Sequence, residues 1–151
     1  SVTTIEQSAF NSCQKLTKID IPAATTSIDP KAFQFCGSLT ELNADPGNPK
    51  YSSVDGFLLS KDKKTLIAFP PGKASTYYTM LPPTIEEIGP YAFYYVQKLE
   101  NVTIPVLVNK QLCRKYCLEW IPQYWCVFFQ RSQRIWQYGV FPIVEEGCDG
   151  G

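Results

Sequence analysis

One apolar phrase is written three times along this chain, and it leaves few folds open. Ile5, Ala9, Phe10, Cys13, Leu16 and Ile19 return 23 residues later as Ile28, Ala32, Phe33, Cys36, Leu39 and Leu42. The same six positions return a further 60 residues on as Ile88, Ala92, Phe93, Val96, Leu99 and Val102. Self-similarity at a spacing in the twenties marks stacked units, each with an apolar edge that only a neighbour can cover. Stacks of this kind present surfaces more readily than they enclose reaction sites.

Each copy divides in two. Its first part, Ile5–Cys13 in the first copy, spaces apolar groups as a short helical turn would. Its second part, Leu16–Pro22, ends in the alternation Lys18-Ile19-Asp20-Ile21 of a half-buried strand. Pro22 and Pro105 stop their strands, because proline has no N–H to give to a ladder. Strand, loop, helical turn and next strand make one coil. The expectation is an α/β solenoid with short strands on one face and ladders of Ala, Phe and Leu inside.

The stretch at about residues 44–80 follows another rule. Tyr51–Val54, Phe57–Ser60 and Thr65–Phe69 read as strands, turned at Asp55-Gly56 and at Lys61–Lys64 and ended by Pro70-Pro71-Gly72. A β-hairpin unit is expected to stand in for one repeat and continue the stack.

Histidine is absent from all 151 residues, which excludes Ser-His-Asp and Cys-His catalysis, His-ligated metals and the usual pH switch near neutrality. Fourteen basic residues balance fourteen acidic ones, whereas a nucleic-acid binder carries a clustered basic footprint. No apolar run reaches the roughly 18 residues a membrane span needs. Ser1–Ile5 is neither charged nor apolar enough for a signal peptide and enters the first phrase directly, as in a fragment or processed form of a longer chain. Glu86-Glu87 and Glu145-Glu146 are sequence neighbours whose side chains diverge in extended backbone, unlike the facing carboxylates of a glycosidase. The Lys61–Lys64 tip is too short for a polyanion site. Neither an enzyme nor a cofactor is expected.

The phrase resembles the repeat of BspA-type (Treponema-type) leucine-rich-repeat proteins. Asn48–Leu58, then Lys61–Ile67 and Phe69-Pro70, is similar to an insert common in that family. The likeness covers about residues 1–105, with phrases at 5–21, 28–43 and 88–104. It implies a right-handed leucine-rich-repeat superhelix with a sheet on one face. It also implies an exported, extracellular or cell-surface setting, with adhesion to host, matrix or bacterial macromolecules, protein or glycan.

With Ile19 and Ile21 inward, Lys18 and Asp20 face outward, and the repeat offsets carry that orientation to Glu41, Asn43, Asn101 and Thr103. These six residues are the candidate binding face; the plainer alternative is a solvated polar surface, since those rows contain no aromatic anchor. Asn101-Val102-Thr103 matches the N-glycosylation pattern, read as chance because a glycan there would sit on the sheet face. Cys13 and Cys36 share a position that the third copy fills with Val96, so both read as core packing residues and inert thiols.

Residues 106–151 hold no fourth phrase. All three tryptophans fall there, and the segment reads as an atypical aromatic, Cys-rich cap over the last coil. A helix is expected over residues 110–120 and a buried strand over Tyr124–Phe129. Cys113, Cys117, Cys126 and Cys148 form the one cluster able to hold a metal, but their spacing matches no recognised zinc ribbon or finger; disulfides or free thiols suit it better. The leading expectation is a non-catalytic interaction module. The alternative is a structural spacer that displays another domain of a longer parent chain.

Overall fold

The computed structural model describes residues 1–74, 79–96, 98, 101–105, 108, 126–129 and 132–137. The sequence offset of 23 becomes a stacking distance in it. β1 (Thr4–Ile5) pairs in parallel with β3 (Ser27–Ile28), and β2 (Lys18–Ile21) pairs in parallel with β4 (Glu41–Ala44). Lys18 stands opposite Glu41 and Ile19 opposite Leu42, so every residue meets its own counterpart in the next phrase. Identical units stacked in register bury identical positions.

The second and third phrases show that outcome. Ala32, Phe33, Cys36, Leu39 and Leu42 are at most 1% exposed, as are Ala92, Phe93, Val96 and Val102. The first phrase departs from it. Ala9 and Cys13 are exposed, and Phe10 and Leu16 are only half-buried. Cys13 is therefore not the core residue its phrase position implies, because its coil is covered from one side alone among the described residues.

The expected helical turn is also corrected. Among the described residues only Pro30–Phe33 forms a 3₁₀ turn, with the Asp29 carboxylate accepting the Lys31 N–H at 2.8 Å and Pro30 in the first turn. The other two copies are successions of tight turns. Ser12, Phe35 and Tyr95 fall at one phrase position and all have positive φ (61°, 60° and 57°). Ser8 and Tyr91 share another such position (64° and 57°). A left-handed residue ends a right-handed helix, and apolar spacings of four and five suit consecutive turns as well. Among the described residues the solenoid is mostly strands and turns.

β5 (Tyr51–Val54), β6 (Phe57–Ser60) and β7 (Thr65–Ala68) form an antiparallel meander, and β7 then pairs in parallel with β9 (Glu87–Ile88). Asp55 and Gly56, at φ 51° and 80°, supply the two left-handed residues of a tight hairpin turn. The run Phe57-Leu58-Leu59 is buried on both faces: Phe57 and Leu59 join one apolar core and Leu58 the other. The insert is thus a wall shared by two cores. Hydroxyls on it satisfy the coil beneath, Tyr51 accepting the Ile28 N–H and Ser53 the Ala44 N–H, each at 3.0 Å.

Phe69 resumes the ladder. Its N–H donates to Ala92 O at 2.7 Å, as the Phe10 N–H does to Ala32 O at 3.0 Å. Rings follow at centroid separations of 6.1 Å (Phe10–Phe33), 5.1 Å (Phe57–Phe69) and 5.3 Å (Phe69–Phe93). Gly72 closes the insert onto the second coil, donating its N–H to Leu39 O at 2.8 Å. A Cβ on Gly72 would stand 2.6 Å from both Leu39 N and Ser38 C. Gly72→Ala is expected to cost about 1–3 kcal/mol through this overpacking. A lower urea midpoint with an unchanged m-value is the measurement that checks it.

A further four-stranded sheet holds β8 (Thr79–Met80), β10 (Asn101–Ile104), β11 (Cys126–Phe129) and β12 (Ser132–Gln137), in the order β12-β11-β10-β8. β10 pairs in parallel with both β8 and β11, whereas β12 pairs antiparallel with β11. The strand expected near Tyr124–Phe129 is present as β11. The helix expected over 110–120 lies outside the described residues.

Candidate functional site

The alternation of β2 decides which side chains face solvent. Lys18 and Asp20 are exposed while Ile19 and Ile21 are buried. Glu41 is exposed and Asn43 half-buried on β4, directly across the ladder from them. Four of the six candidate residues therefore form one patch. Within it the pairing runs along each strand: Lys18 Nζ lies 3.1 Å from Asp20 Oδ1, and Asn43 Nδ2 donates to Glu41 Oε2 at 3.2 Å. The Lys18 and Asp20 side chains are 50% and 71% exposed, so their ion pair contributes little to stability and remains open to exchange partners.

Asn101 and Thr103 sit elsewhere. They lie on β10, where Thr103 stands opposite Met80 of β8 and Phe128 of β11. β4 does not pair with β8. Its next contact is the hairpin tip, through the Leu42 N–H bond to Gly56 O at 3.0 Å. The six residues thus form two patches, on two separate sheets.

The first patch borders an open groove of about 410 Å³ at the carboxyl ends of β2 and β4. Pro22, Asp45 and Pro46 line it together with Lys18, Asp20 and Asn43. Asp45 and the two prolines are not among the six candidate residues because they follow the strands rather than alternate within them. Asp45 holds its own turn, accepting the Gly47 N–H at 2.7 Å.

A second feature is aromatic and lies on the turns. Phe35 and Tyr95, at one left-handed phrase position, bring their rings to 3.9 Å between centroids. Tyr94 meets Tyr95 edge-on at 4.8 Å, and the Lys31 ammonium lies 3.8 Å from the centre of the Tyr91 ring. Phe35 is 39% exposed. The signal for this cluster was the run Tyr91-Ala92-Phe93-Tyr94-Tyr95 set against the second phrase, which strand alternation alone does not weigh.

Cys13 and Cys36 are free thiols, the first exposed and the second buried. Of the possible metal cluster, Cys113, Cys117 and Cys148 lie outside the described residues, and only the backbone of Cys126 is described, on β11. Among the described residues no group of three or more Cys, Asp or Glu is placed to hold a metal ion. No helix among them is long and apolar enough to cross a membrane.

The family model for the BspA type leucine rich repeat region matches six copies, over residues 1–72 and 68–141. The match runs past Pro105, along with the parallel pairing of β11 on β10. A leucine rich cell surface protein of Faecalibacterium prausnitzii A2-165 is 31% identical over 72% of this chain and 28% of its own, with a TM-score of 0.57. Pneumococcal vaccine antigen PcpA is 28% identical over 62% of this chain and 23% of its own, with a TM-score of 0.55. A leucine-rich repeat protein of Eubacterium ventriosum ATCC 27560, 22% identical over 75% of this chain and 32% of its own, shares the fold at a TM-score of 0.55. The chain thus spans between about a quarter and a third of each of these structures. No curated protein matches it.

Proposed function

The chain belongs to the BspA type leucine-rich-repeat family, and from that premise we propose that it is a non-catalytic interaction module of an exported or cell-surface protein. The observation that carries this reading is the in-register patch of Lys18, Asp20, Glu41 and Asn43 beside the Pro22–Pro46 groove. A twisted parallel ladder offers fixed, repeated side-chain positions, which suits an extended protein segment or a glycan more than an enclosed small molecule. The similarity to a cell surface protein and to a vaccine antigen supports a setting outside the cell; adhesion to host or matrix macromolecules is the role this reading assigns. The right-handed coiling that the family implies belongs to the same reading. So does a closing role for residues 106–151, supported by the switch from parallel to antiparallel pairing at β12.

The test is binding of the purified chain to immobilised matrix proteins and mucin glycans. The combined variant Lys18→Ala, Glu41→Ala, Asn43→Ala is expected to bind about tenfold more weakly than the parent, about 1.4 kcal/mol, with unchanged circular dichroism and Tm. Asn101→Ala with Thr103→Ala then reports whether the β10 patch shares the partner. Unchanged affinity in the first variant removes the β2–β4 face from the site.

The spacer reading draws on a different observation. Lys18 pairs with Asp20 and Asn43 with Glu41 within their own strands, which leaves few polar groups unengaged. A spacer binds none of the panel and owes its function to the domains it separates.

A further inference from the structure

Cys13 and Cys36 share one phrase position, and the two coils bring them to one carbonyl. The Cys36 thiol donates to Phe10 O at 3.0 Å, and the Cys13 backbone N–H donates to the same oxygen at 3.1 Å. The sulfur of the second coil is therefore held against the backbone of the cysteine above it. Hydrogen bonds lace the two stretches together around this point. The Phe10 N–H donates to Ala32 O at 3.0 Å, the Ser12 N–H to Gln34 O at 3.1 Å, and Gln14 Nε2 to Phe35 O at 2.6 Å. Chains laced in this way run about 4.8 Å apart, inside the roughly 4.4–6.8 Å between Cα atoms that a disulfide requires. Cys13 is exposed and Cys36 buried, so one thiol is open to a reagent and the other lies behind it.

We propose that Cys13 and Cys36 are an inter-coil thiol pair that closes to a disulfide on exposure to a small-molecule disulfide, fastening the first coil to the second. The Cys13 thiolate attacks one sulfur of oxidised glutathione, expelling one glutathione thiolate and leaving a mixed disulfide on Cys13. Cys36 loses its proton to solvent, turns from Phe10 O and attacks the Cys13 sulfur, displacing the second glutathione. Two protein thiols are oxidised, and one glutathione disulfide is reduced to two thiols. Burial pushes the Cys36 thiol up, so the second step quickens as pH rises. The apolar positions of the first coil are less covered than those of the second, so a cross-link there has fraying to suppress.

The experiment treats the full chain with oxidised glutathione, blocks remaining thiols, digests without reductant and maps cross-linked peptides by mass. The expected product is a peptide pair joined through Cys13 and Cys36, lighter by about two hydrogen atoms than the reduced pair, together with a raised Tm. Cys13→Ser should abolish both. Cys36→Val, the residue the third phrase carries, should keep the fold and leave glutathione trapped on Cys13. Glutathione trapped on Cys13 of the parent chain, or Cys13 joined to any other cysteine or to a second molecule, overturns the proposal.

Discussion

Replacing Asn48 by alanine is expected to lower the unfolding free energy by about 3–4 kcal/mol, from the loss of a buried amide whose partners are left unpaired. Asn48 is fully buried. Its Nδ2 donates to Pro22 O and Thr25 O, and its Oδ1 accepts the Lys50 and Tyr51 N–H groups, all four at 2.8 Å. One side chain thus satisfies the loop after β2 and the entry to β5. Alanine strands two carbonyls and two N–H groups at about 1–3 kcal/mol each, partly offset where water fills the vacated space. Asn43→Ala, on the open face, should change stability by no more than about 0.5 kcal/mol. Urea unfolding of both variants checks the contrast, and equal costs would mean that the four bonds of Asn48 do not hold the insert to the coil.

Phe33→Ala should cost about 3–5 kcal/mol, in the range of buried aromatic truncations. Phe33 is 1% exposed and lies in the middle of the N-terminal core. Phe10, stacked on it at 6.1 Å, holds the same phrase position but is only half-buried. Phe10→Ala is expected to cost about 1–2 kcal/mol, because less apolar area returns to water and the less covered coil can relax. The two substitutions delete the same atoms from the same phrase position, so the difference between them measures what a covering coil contributes. Similar costs would show that the first coil is as firmly packed as the second.

Much of this architecture was legible in the residues. Three phrases at fixed offsets require stacking, and strand alternation alone sends Ile19 inward and Lys18 outward. The hairpin was legible for a comparable reason: Asp55-Gly56 can adopt two consecutive left-handed conformations between strand-like runs, whereas the burial of Phe57-Leu58-Leu59 on both faces is decided by the stack. The helical turn failed because apolar groups four and five apart satisfy a helix and a chain of turns equally. Positive φ at Ser12, Phe35 and Tyr95 decides between them, and no shared residue type announces it. The candidate face was half legible. Offsets identify equivalent residues, but they do not say that β4 and β10 belong to separate sheets, which divides Asn43 from Thr103.

The amino-acid sequence by itself determined the repeating unit, its register and the insert, because these follow from periodicity and turn chemistry within a few residues. Tertiary structure decided which copies are truly buried and which equivalent residues become neighbours. Cys13 and Cys36 carry the same letter in the same phrase, yet one is wet and the other dry. Burial is a property of the stack rather than of the phrase, since an apolar edge leaves water only where another coil lies against it.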